Sequence, residues 1–191
     1  MRSVRSARLV VVALMTLVLS ACIGGVEDTG DDGFIGGSGE ITFVDPGKRE
    51  PAPDLAGTDL DGKKISTADY AGKVLVVNLW GSWCNPCRKE APALKKVSDE
   101  LADQNVQFIG LLTQDDPAAA NAFNAKVGIT YPSIDDPNGR LQASFADSLP
   151  SMAIPTTWVI DANGKVAARA MAELTAPTLR ALIDQTKKST Q

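Results

Sequence analysis

Two continuous apolar runs mark the interior strands of this chain. The run KVLVVNLW at 73–80 lies between Gly72 and Gly81, and VQFIGLL at 106–112 has the same character. Uninterrupted β-branched and apolar residues are typical of strands that are buried on both faces. The pattern therefore predicts two strands in the middle of a sheet.

Helices are predicted where apolar positions recur at steps of three and four residues. Between 85 and about 103 these positions are Ala91, Leu94, Val97 and Leu101. Pro92 lies inside this helix and should kink it, because proline cannot donate a hydrogen bond to the Arg88 carbonyl. A second helix is predicted at 117–128, which begins with proline and ends with glycine.

Glycine-containing turns predict two hairpins. Asp61-Gly62 separates DLAGTDL from KKIST, and both turn residues tolerate the positive φ that a type I′ turn requires. Strands predicted at 156–161 and 165–172 are joined by the turn Ala-Asn-Gly.

A closing helix is predicted from a cap at Thr175 to about Lys188. The order strand, helix, strand, helix, hairpin, helix predicts an α/β fold in which helices sandwich a mixed sheet. The length of 191 residues and the hydrophobic content of 44% fit one globular domain with appendages.

The first residues have the pattern of a secretory signal. Three arginines precede an apolar run at 9–19, and small residues follow at 20 and 21. The run is shorter than the roughly 20 residues that a helix needs to cross a bilayer core. A permanent transmembrane anchor is therefore a weak alternative.

The segment 23–50 has the composition of a linker, with eight glycines and seven acidic residues in 28 positions. A flexible chain of this length spans roughly 30 Å. Its short apolar segment at 41–44 is either an edge strand that docks on the domain or an exposed apolar segment of the linker.

Charge and composition exclude several function classes. The net charge is -4, so the chain lacks the basic surface that binds a phosphate backbone, and nucleic acid is not an expected partner. Histidine is absent, which excludes Ser-His and Cys-His nucleophile pairs, imidazole zinc ligands and a histidine-held haem.

Cys84 and Cys87 are separated by two residues in WGSWCNPCRKEAP. A zinc site needs about four ligands, which two thiols without histidine do not supply. A purely structural disulfide is also a weak hypothesis, because a disulfide that closes so small a loop removes little conformational entropy from the unfolded state. Both stay open as alternatives to a redox pair.

The redox reading follows from the predicted position of the pair where a buried strand turns into a helix. We expect Cys84 at the helix N-terminus with its sulfur exposed and Cys87 one turn further inside. The helix dipole, Arg88 and Lys89 should lower the pKa of the Cys84 thiol below the free-cysteine value of about 8.5. The Cys84 thiolate would attack a substrate disulfide, and Cys87 would then resolve the mixed disulfide.

The motifs WCNPC and IPTT at 154–157 resemble those of the thioredoxin fold. The longer segment PAPDLAGTDLDGKKISTADYAGKVLVVNLWGSWCNPCRKEAPAL resembles the TlpA and ResA branch of extracytoplasmic thiol-disulfide oxidoreductases. The resemblance covers nearly all of the chain from Pro51 to the last helix. It implies a central mixed sheet flanked by helices, an N-terminal β-hairpin extension and a βα insertion.

The residues Leu19-Ser20-Ala21-Cys22 resemble the lipobox of bacterial lipoproteins, which implies lipidation of Cys22. The expected organisation is a signal peptide at 1–21, a lipid-anchored flexible linker at 22–50 and a thioredoxin-like domain at 51–191. Many actinobacterial members of the branch carry such a lipobox and tether. The expected location is the extracytoplasmic face of the cell membrane.

The resemblance also assigns roles around the cysteine pair. It implies a cis Ile154-Pro155 peptide bond beside the dithiol, with Ile154 and Pro155 forming a substrate groove. We expect Trp83 to pack beside the active sulfur and shield it, whereas Trp80 and Trp158 belong to the core. Glu90 matches an acidic residue thought to handle protons; an ordinary solvated glutamate is the alternative.

The implied activity is reduction of protein disulfides, for example those of apocytochrome c, with no cofactor besides the Cys84-Cys87 disulfide. A membrane electron-transfer protein of CcdA or DsbD type is the expected electron donor. An oxidase that forms disulfides in secreted proteins is the close alternative.

Two other classes fit the residues less well. Thiol peroxidases of this fold share a Pro-X-X-X-Thr-X-X-Cys segment, but Val77 and Gly81 occupy the Pro and Thr places here. Copper-delivering lipoproteins of the fold use Cys-X-X-X-Cys and a distant histidine, and this chain has neither.

Overall fold

The computed structural model describes residues 34–35 and 41–190. The predicted signal peptide at 1–21, the predicted lipidation site Cys22 and most of the predicted linker lie outside these residues. They stay predictions.

A mixed β-sheet forms the centre of the fold. Within the described residues it has seven strands: β1 Phe34–Ile35, β2 Ile41–Val44, β5 Val74–Trp80, β6 Val106–Thr113, β7 Ser133–Asp136, β8 Thr156–Ile160 and β9 Val166–Ala170. Their order across the sheet is β1-β2-β9-β8-β5-β6-β7. A separate hairpin consists of β3 Ala56–Thr58 and β4 Lys64–Ser66.

Four α-helices accompany the described strands. They are α1 Asn85–Leu101, α2 Pro117–Val127, α3 Arg140–Ala143 and α4 Ala176–Thr190, and short 3-10 helices occupy Pro46–Lys48, Thr67–Tyr70 and Ser144–Asp147. None of the described helices is long and apolar enough to cross a bilayer.

The register of β5 decides where the cysteines lie. This strand pairs in parallel with β6, from Val74 opposite Val106 to Trp80 opposite Leu112, and antiparallel with β8. All seven β5 residues are buried. The carboxyl ends of β5 and β6 therefore meet at one edge of the sheet, and the segment that follows β5 carries the cysteine pair.

Apolar clusters cover both faces of the sheet. On one face α1 and α4 contribute Leu94, Val97, Leu101, Leu179 and Ile183. On the other face, residues that precede or belong to the β3–β4 hairpin, β7 and the segment after α3 pack against Trp158 of β8; they are Leu55, Ile65, Ile134 and Phe145. The predicted α/β sandwich with an N-terminal hairpin and a βα insertion is confirmed.

The first hairpin turn differs from its prediction. Gly62 has φ +82°, but Asp61 is not among the described residues with positive φ. Since a type I′ turn needs positive φ at both central residues, the type I′ assignment is wrong. The Gly62 N–H donates to the Asp59 carbonyl, and the Asp59 carboxylate accepts from the N–H groups of Asp61 and Lys63. The aspartate side chain therefore shapes this turn.

The folded unit begins before Pro51. β2 pairs antiparallel with β9, so the apolar piece at 41–44 is a strand of the sheet. Arg49 is 3% exposed, pairs with Asp161 at 2.8 Å and donates to the Val44 carbonyl. It also donates to the hydroxyl groups of Thr190 and Ser189, and so joins the N-terminal segment to the end of α4.

Candidate active site

The cysteine pair lies at the junction of β5 and α1. Cys84 is the N-cap of α1, and its Sγ accepts a hydrogen bond from the Cys87 N–H at 3.2 Å. The two sulfurs form a disulfide with an S–S distance of 2.07 Å and a Cα–Cα distance of 5.3 Å. Because both sulfurs are bonded, the predicted lowering of the pKa of the Cys84 thiol stays a prediction.

The expectation of an exposed Cys84 sulfur is wrong for this disulfide form. Cys84 is only 4% exposed and Cys87 3%. The pair packs in a cluster with Trp80, Leu112 and Ala120, and Leu60, Phe123 and Ile154 pack against the same cluster. Side chains from distant segments cover the pair, which the spacing of the cysteines could not predict.

Trp83 lies on the surface beside the start of α1, and its predicted packing against the active sulfur stays a prediction. It is 52% exposed, and its Nε1 donates to the Gln114 carbonyl at 3.0 Å. A Cβ at Gly81 would lie 2.7 Å from the same Nε1, so a larger residue at this position would force the indole to move. Trp80 and Trp158 are buried, which confirms their place in the core.

A cation lies beside the start of α1. Arg88 donates to the Ser82 carbonyl at 3.0 Å, and its guanidinium lies 5.0 Å from the centre of the Phe123 ring. These contacts hold the charge next to the helix N-terminus, where a cation is unfavourable for the helix but favourable for a nearby thiolate.

Glu90 lies one turn after Cys87, at 1% exposure. Its Oε1 accepts from Asn78 Nδ2 at 2.9 Å, and its Oε2 accepts from the Leu174 N–H at 3.0 Å. Burial raises the pKa of Glu90 to about 7, while these two hydrogen bonds oppose the increase and the charge of Glu173 adds to it. The alternative of an ordinary solvated glutamate is therefore wrong.

The loop before β8 completes the site. The Ile154-Pro155 peptide bond is cis, as the resemblance implied. Ile154 packs against the disulfide cluster and Pro155 is buried. Hydrogen bonds from Thr156 and Ser151 to the Ala153 carbonyl hold the loop.

Asn78, Leu60 and Phe123 were missed by the sequence analysis. Asn78 had a usable signal, because it is the one polar residue inside the apolar part of the run at 73–80. Leu60 and Phe123 had none, since each is an ordinary apolar residue of a hairpin or a helix. Among the described residues, no group of three or more Cys, Asp or Glu side chains could hold a metal ion.

Comparison with known sequences places the chain among redox proteins of this fold. The profile of the AhpC/TSA family matches residues 49–169. The thiol-disulfide oxidoreductase ResA of Bacillus anthracis is 30% identical over 171 residues, which covers 88% of this chain and 90% of that protein. Other ResA proteins match over 115 residues, which is 60% of this chain and 64% of their own length.

Two solved structures support the same relationship. A DsbF homologue from Corynebacterium diphtheriae is 36% identical with a TM-score of 0.71, and the match covers 79% of this chain and 96% of that one. A secreted thiol-disulfide isomerase from Corynebacterium glutamicum is 31% identical with a TM-score of 0.70 over the same shares of the two chains.

Proposed function

The chain belongs to the AhpC/TSA family of thioredoxin-fold proteins. From this relationship and from the geometry of its cysteines, we propose that it is a thiol-disulfide oxidoreductase that reduces disulfides of proteins outside the cytoplasm. One observation carries the proposal: the Cys84–Cys87 disulfide caps α1 and packs against Ile154 of the cis-proline loop.

Reduction of a substrate proceeds in two exchange steps. The Cys84 thiolate attacks one sulfur of the substrate disulfide, which forms a mixed disulfide and releases the other substrate sulfur as a thiolate. The Cys87 thiolate then attacks Cys84 Sγ, forms the Cys84–Cys87 bond and releases the second substrate sulfur. Two electrons pass to the substrate, whose thiolates take up two protons. The cysteine pair itself carries these electrons, so the reaction needs no cofactor.

Glu90 serves as the proton acceptor for Cys87. It follows Cys87 by three residues on α1, and the two side chains therefore share a helix face. With a pKa of about 7, the carboxylate can take a proton from the thiol when Cys87 becomes the attacking group and return it later.

Substrate binds along the edge formed by Trp83 and the loop of Ile154 and Pro155. In the disulfide form Ile154 lies over the cysteine cluster, so access to Cys84 requires the side chains that cover it to move aside. Trp83 and Met152 are the large apolar side chains that the described part of the chain exposes, at 52% and 93%. A polypeptide that buries them gains apolar contact next to the reacting sulfur.

The N-terminal pattern supports a membrane-tethered location. The secretory signal and the lipobox at Cys22 would anchor the chain outside the cytoplasmic membrane, and the acidic glycine-rich segment would hold the domain clear of it. A membrane electron-transfer protein with its own dithiol, of CcdA or DsbD type, would reduce the Cys84–Cys87 bond after each turnover. Apocytochrome c is one candidate substrate.

The reduction potential of the cysteine pair tests the direction of electron flow. The purified chain, carrying Cys22→Ser, is equilibrated with glutathione or dithiothreitol buffers, and the thiol fraction is measured. A potential well below about -200 mV supports a reductant. A potential near that of strong oxidants, about -120 mV, supports the alternative of an oxidase for secreted proteins and contradicts the proposed direction.

A further inference from the structure

A polar cavity of about 500 Å³ opens on the surface beside the disulfide cluster. The β3–β4 turn, α2 and the segment before β7 line it. Its polar lining residues are Asp59, Asp61, Asn121, Asn124, Thr130, Tyr131 and Ser133.

Two carboxylates and an amide oxygen without a donor line this cavity. Asn124 is 8% exposed, and its buried Oδ1 has no hydrogen-bond partner. Asp59 and Asp61 contribute two carboxylates that form no ion pair among the residues the structure describes. A buried amide oxygen without a donor is unfavourable, so a ligand that donates hydrogen bonds and carries positive charge fits the site.

The cavity and the disulfide share their walls. Leu60 lines the cavity and also packs against the cluster of Cys84 and Cys87. Ser133 lines the cavity and accepts a hydrogen bond from Trp80 Nε1, and Trp80 belongs to the same cluster. Helix α2 lies between the cavity and the disulfide cluster. Its residues Ala120 and Phe123 pack with the cysteine cluster, and Asn121 and Asn124 line the cavity.

We propose that this cavity binds a lysine or arginine side chain of the polypeptide whose disulfide is exchanged. The inference rests on the proposed function and specifies its substrate class: cystine-containing segments with a basic residue near the reacting cysteine. Asp59 and Asp61 supply the charge, and Asn124 Oδ1 accepts a hydrogen bond from the ammonium or guanidinium group. The cavity is separated from the cysteine cluster by Leu60. A charged substrate side chain held there would fix which substrate residue lies opposite Cys84.

The local charge supports this class of ligand. The neighbouring Asn121 donates through Nδ2 to the Leu60 carbonyl and to Asp61 Oδ1, which fixes that carboxylate at the cavity without neutralising it. Asp59 is fixed in the same way by backbone N–H groups. Both aspartates therefore present charge in a set position before a substrate arrives.

The test uses cysteine peptides activated as thionitrobenzoate mixed disulfides, so that each exchange releases a coloured thiolate. One series carries arginine at successive positions on either side of the cysteine, and the matched series carries glutamine. The reduced full chain with Cys22→Ser is compared with Asp59→Asn, Asp61→Asn and the double variant. Asp103→Asn is the control, since Asp103 is exposed and does not line the cavity.

We expect at least one arginine peptide to react about tenfold faster than its glutamine partner at low salt. The preference should fall with rising salt and disappear in the double variant, while Asp103→Asn retains it. Equal rates for both series, or a preference that survives in the double variant, would overturn this inference.

Hydroxyethyl disulfide, a small neutral substrate, separates this inference from the proposed function. All variants should reduce it at the same rate, because the aspartates do not contact the reacting sulfurs. If the unsubstituted chain reduces hydroxyethyl disulfide but shows no arginine preference, only the cavity assignment is wrong. If it does not reduce hydroxyethyl disulfide, the proposed function is wrong and this inference falls with it.

Discussion

The Asn78 amide links the Glu90 carboxylate to the strand that follows the cis-proline loop. Asn78 Nδ2 donates to Glu90 Oε1 at 2.9 Å and to Thr157 Oγ1 at 3.1 Å. Asn78 lies on β5, Glu90 on α1 and Thr157 on β8, so one side chain connects three elements under the cysteine pair. The position of the buried carboxylate is therefore set from the sheet as well as from its own helix.

Replacing Asn78 by leucine should raise the pKa of Glu90 further. The hydrogen bond from Asn78 stabilises the ionised carboxylate, so its loss favours the protonated form. Carboxyl carbon chemical shifts of the oxidised protein, followed through a pH titration, measure this pKa directly. Thr157→Val serves as a control that keeps the Asn78–Glu90 bond. An unchanged Glu90 pKa in Asn78→Leu would show that this bond does not tune the carboxylate.

Glu90 should make the oxidised protein less stable as the pH rises. Its pKa of about 7 lies above the ordinary value of 4.5, so the folded state binds the proton more tightly than the unfolded state does. Stability from this group is present below the unfolded pKa and is lost as the pH rises through the folded pKa. The loss amounts to roughly 3 kcal/mol at full ionisation.

Glu90→Gln isolates that contribution. Urea unfolding of the oxidised wild type and of this variant across pH 4 to 8 should show a difference in unfolding free energy that grows with pH, in favour of the variant, by about 3 kcal/mol. A difference that does not change with pH would mean that Glu90 titrates near its ordinary value in the folded protein.

Truncating Ile154 should make the disulfide easier to reach. Ile154 packs against the buried cysteine cluster, so Ile154→Ala removes part of its cover. We expect dithiothreitol to reduce the disulfide of this variant several-fold faster, as followed by tryptophan fluorescence. Ile41→Ala is the matched control, because Ile41 is also partly buried and packs against the core cluster that α1 and α4 line. Equal rates in both variants would show that Ile154 does not limit access.

Arg49 should anchor the N-terminal segment to the domain. Its ion pair with Asp161 is buried, with side-chain exposures of 1% and 3%. Arg49→Met leaves the Asp161 carboxylate without its cation and should lower the free energy of unfolding by about 3 to 5 kcal/mol. Arg140→Met, at an exposed position, should change it by less than about 0.5 kcal/mol. Similar small losses in both variants would contradict the anchoring role.

The sequence predicted most of the elements that place the site, because their apolar patterns are strong. The continuous run of β5 and the three- and four-residue spacing of α1 fixed the strand-to-helix junction that carries Cys84. The strand β7, with the sequence SIDD, was missed because it has too few apolar residues to form a pattern. Its place at the edge of the sheet follows from pairing with β6.

The environment of the cysteines could not be predicted in the same way. The burial of Cys84 depends on Leu60, Phe123 and Ile154, which come from three distant segments. The burial of Glu90 depends on α4 and the segment before it packing over α1, and position within a helix does not reveal that. Tertiary contacts, rather than local pattern, set the exposure and the ionisation of the site.

The most direct test of the account is a trapping experiment on the two cysteines, in a chain that also carries Cys22→Ser. The reduced Cys87→Ala and Cys84→Ala variants are incubated with hydroxyethyl disulfide, and peptide mass spectrometry locates any mixed disulfide. The account predicts a lasting adduct on Cys84 in Cys87→Ala and little or none on Cys87 in Cys84→Ala. No adduct on Cys84, or equal labelling of the two variants, would contradict it.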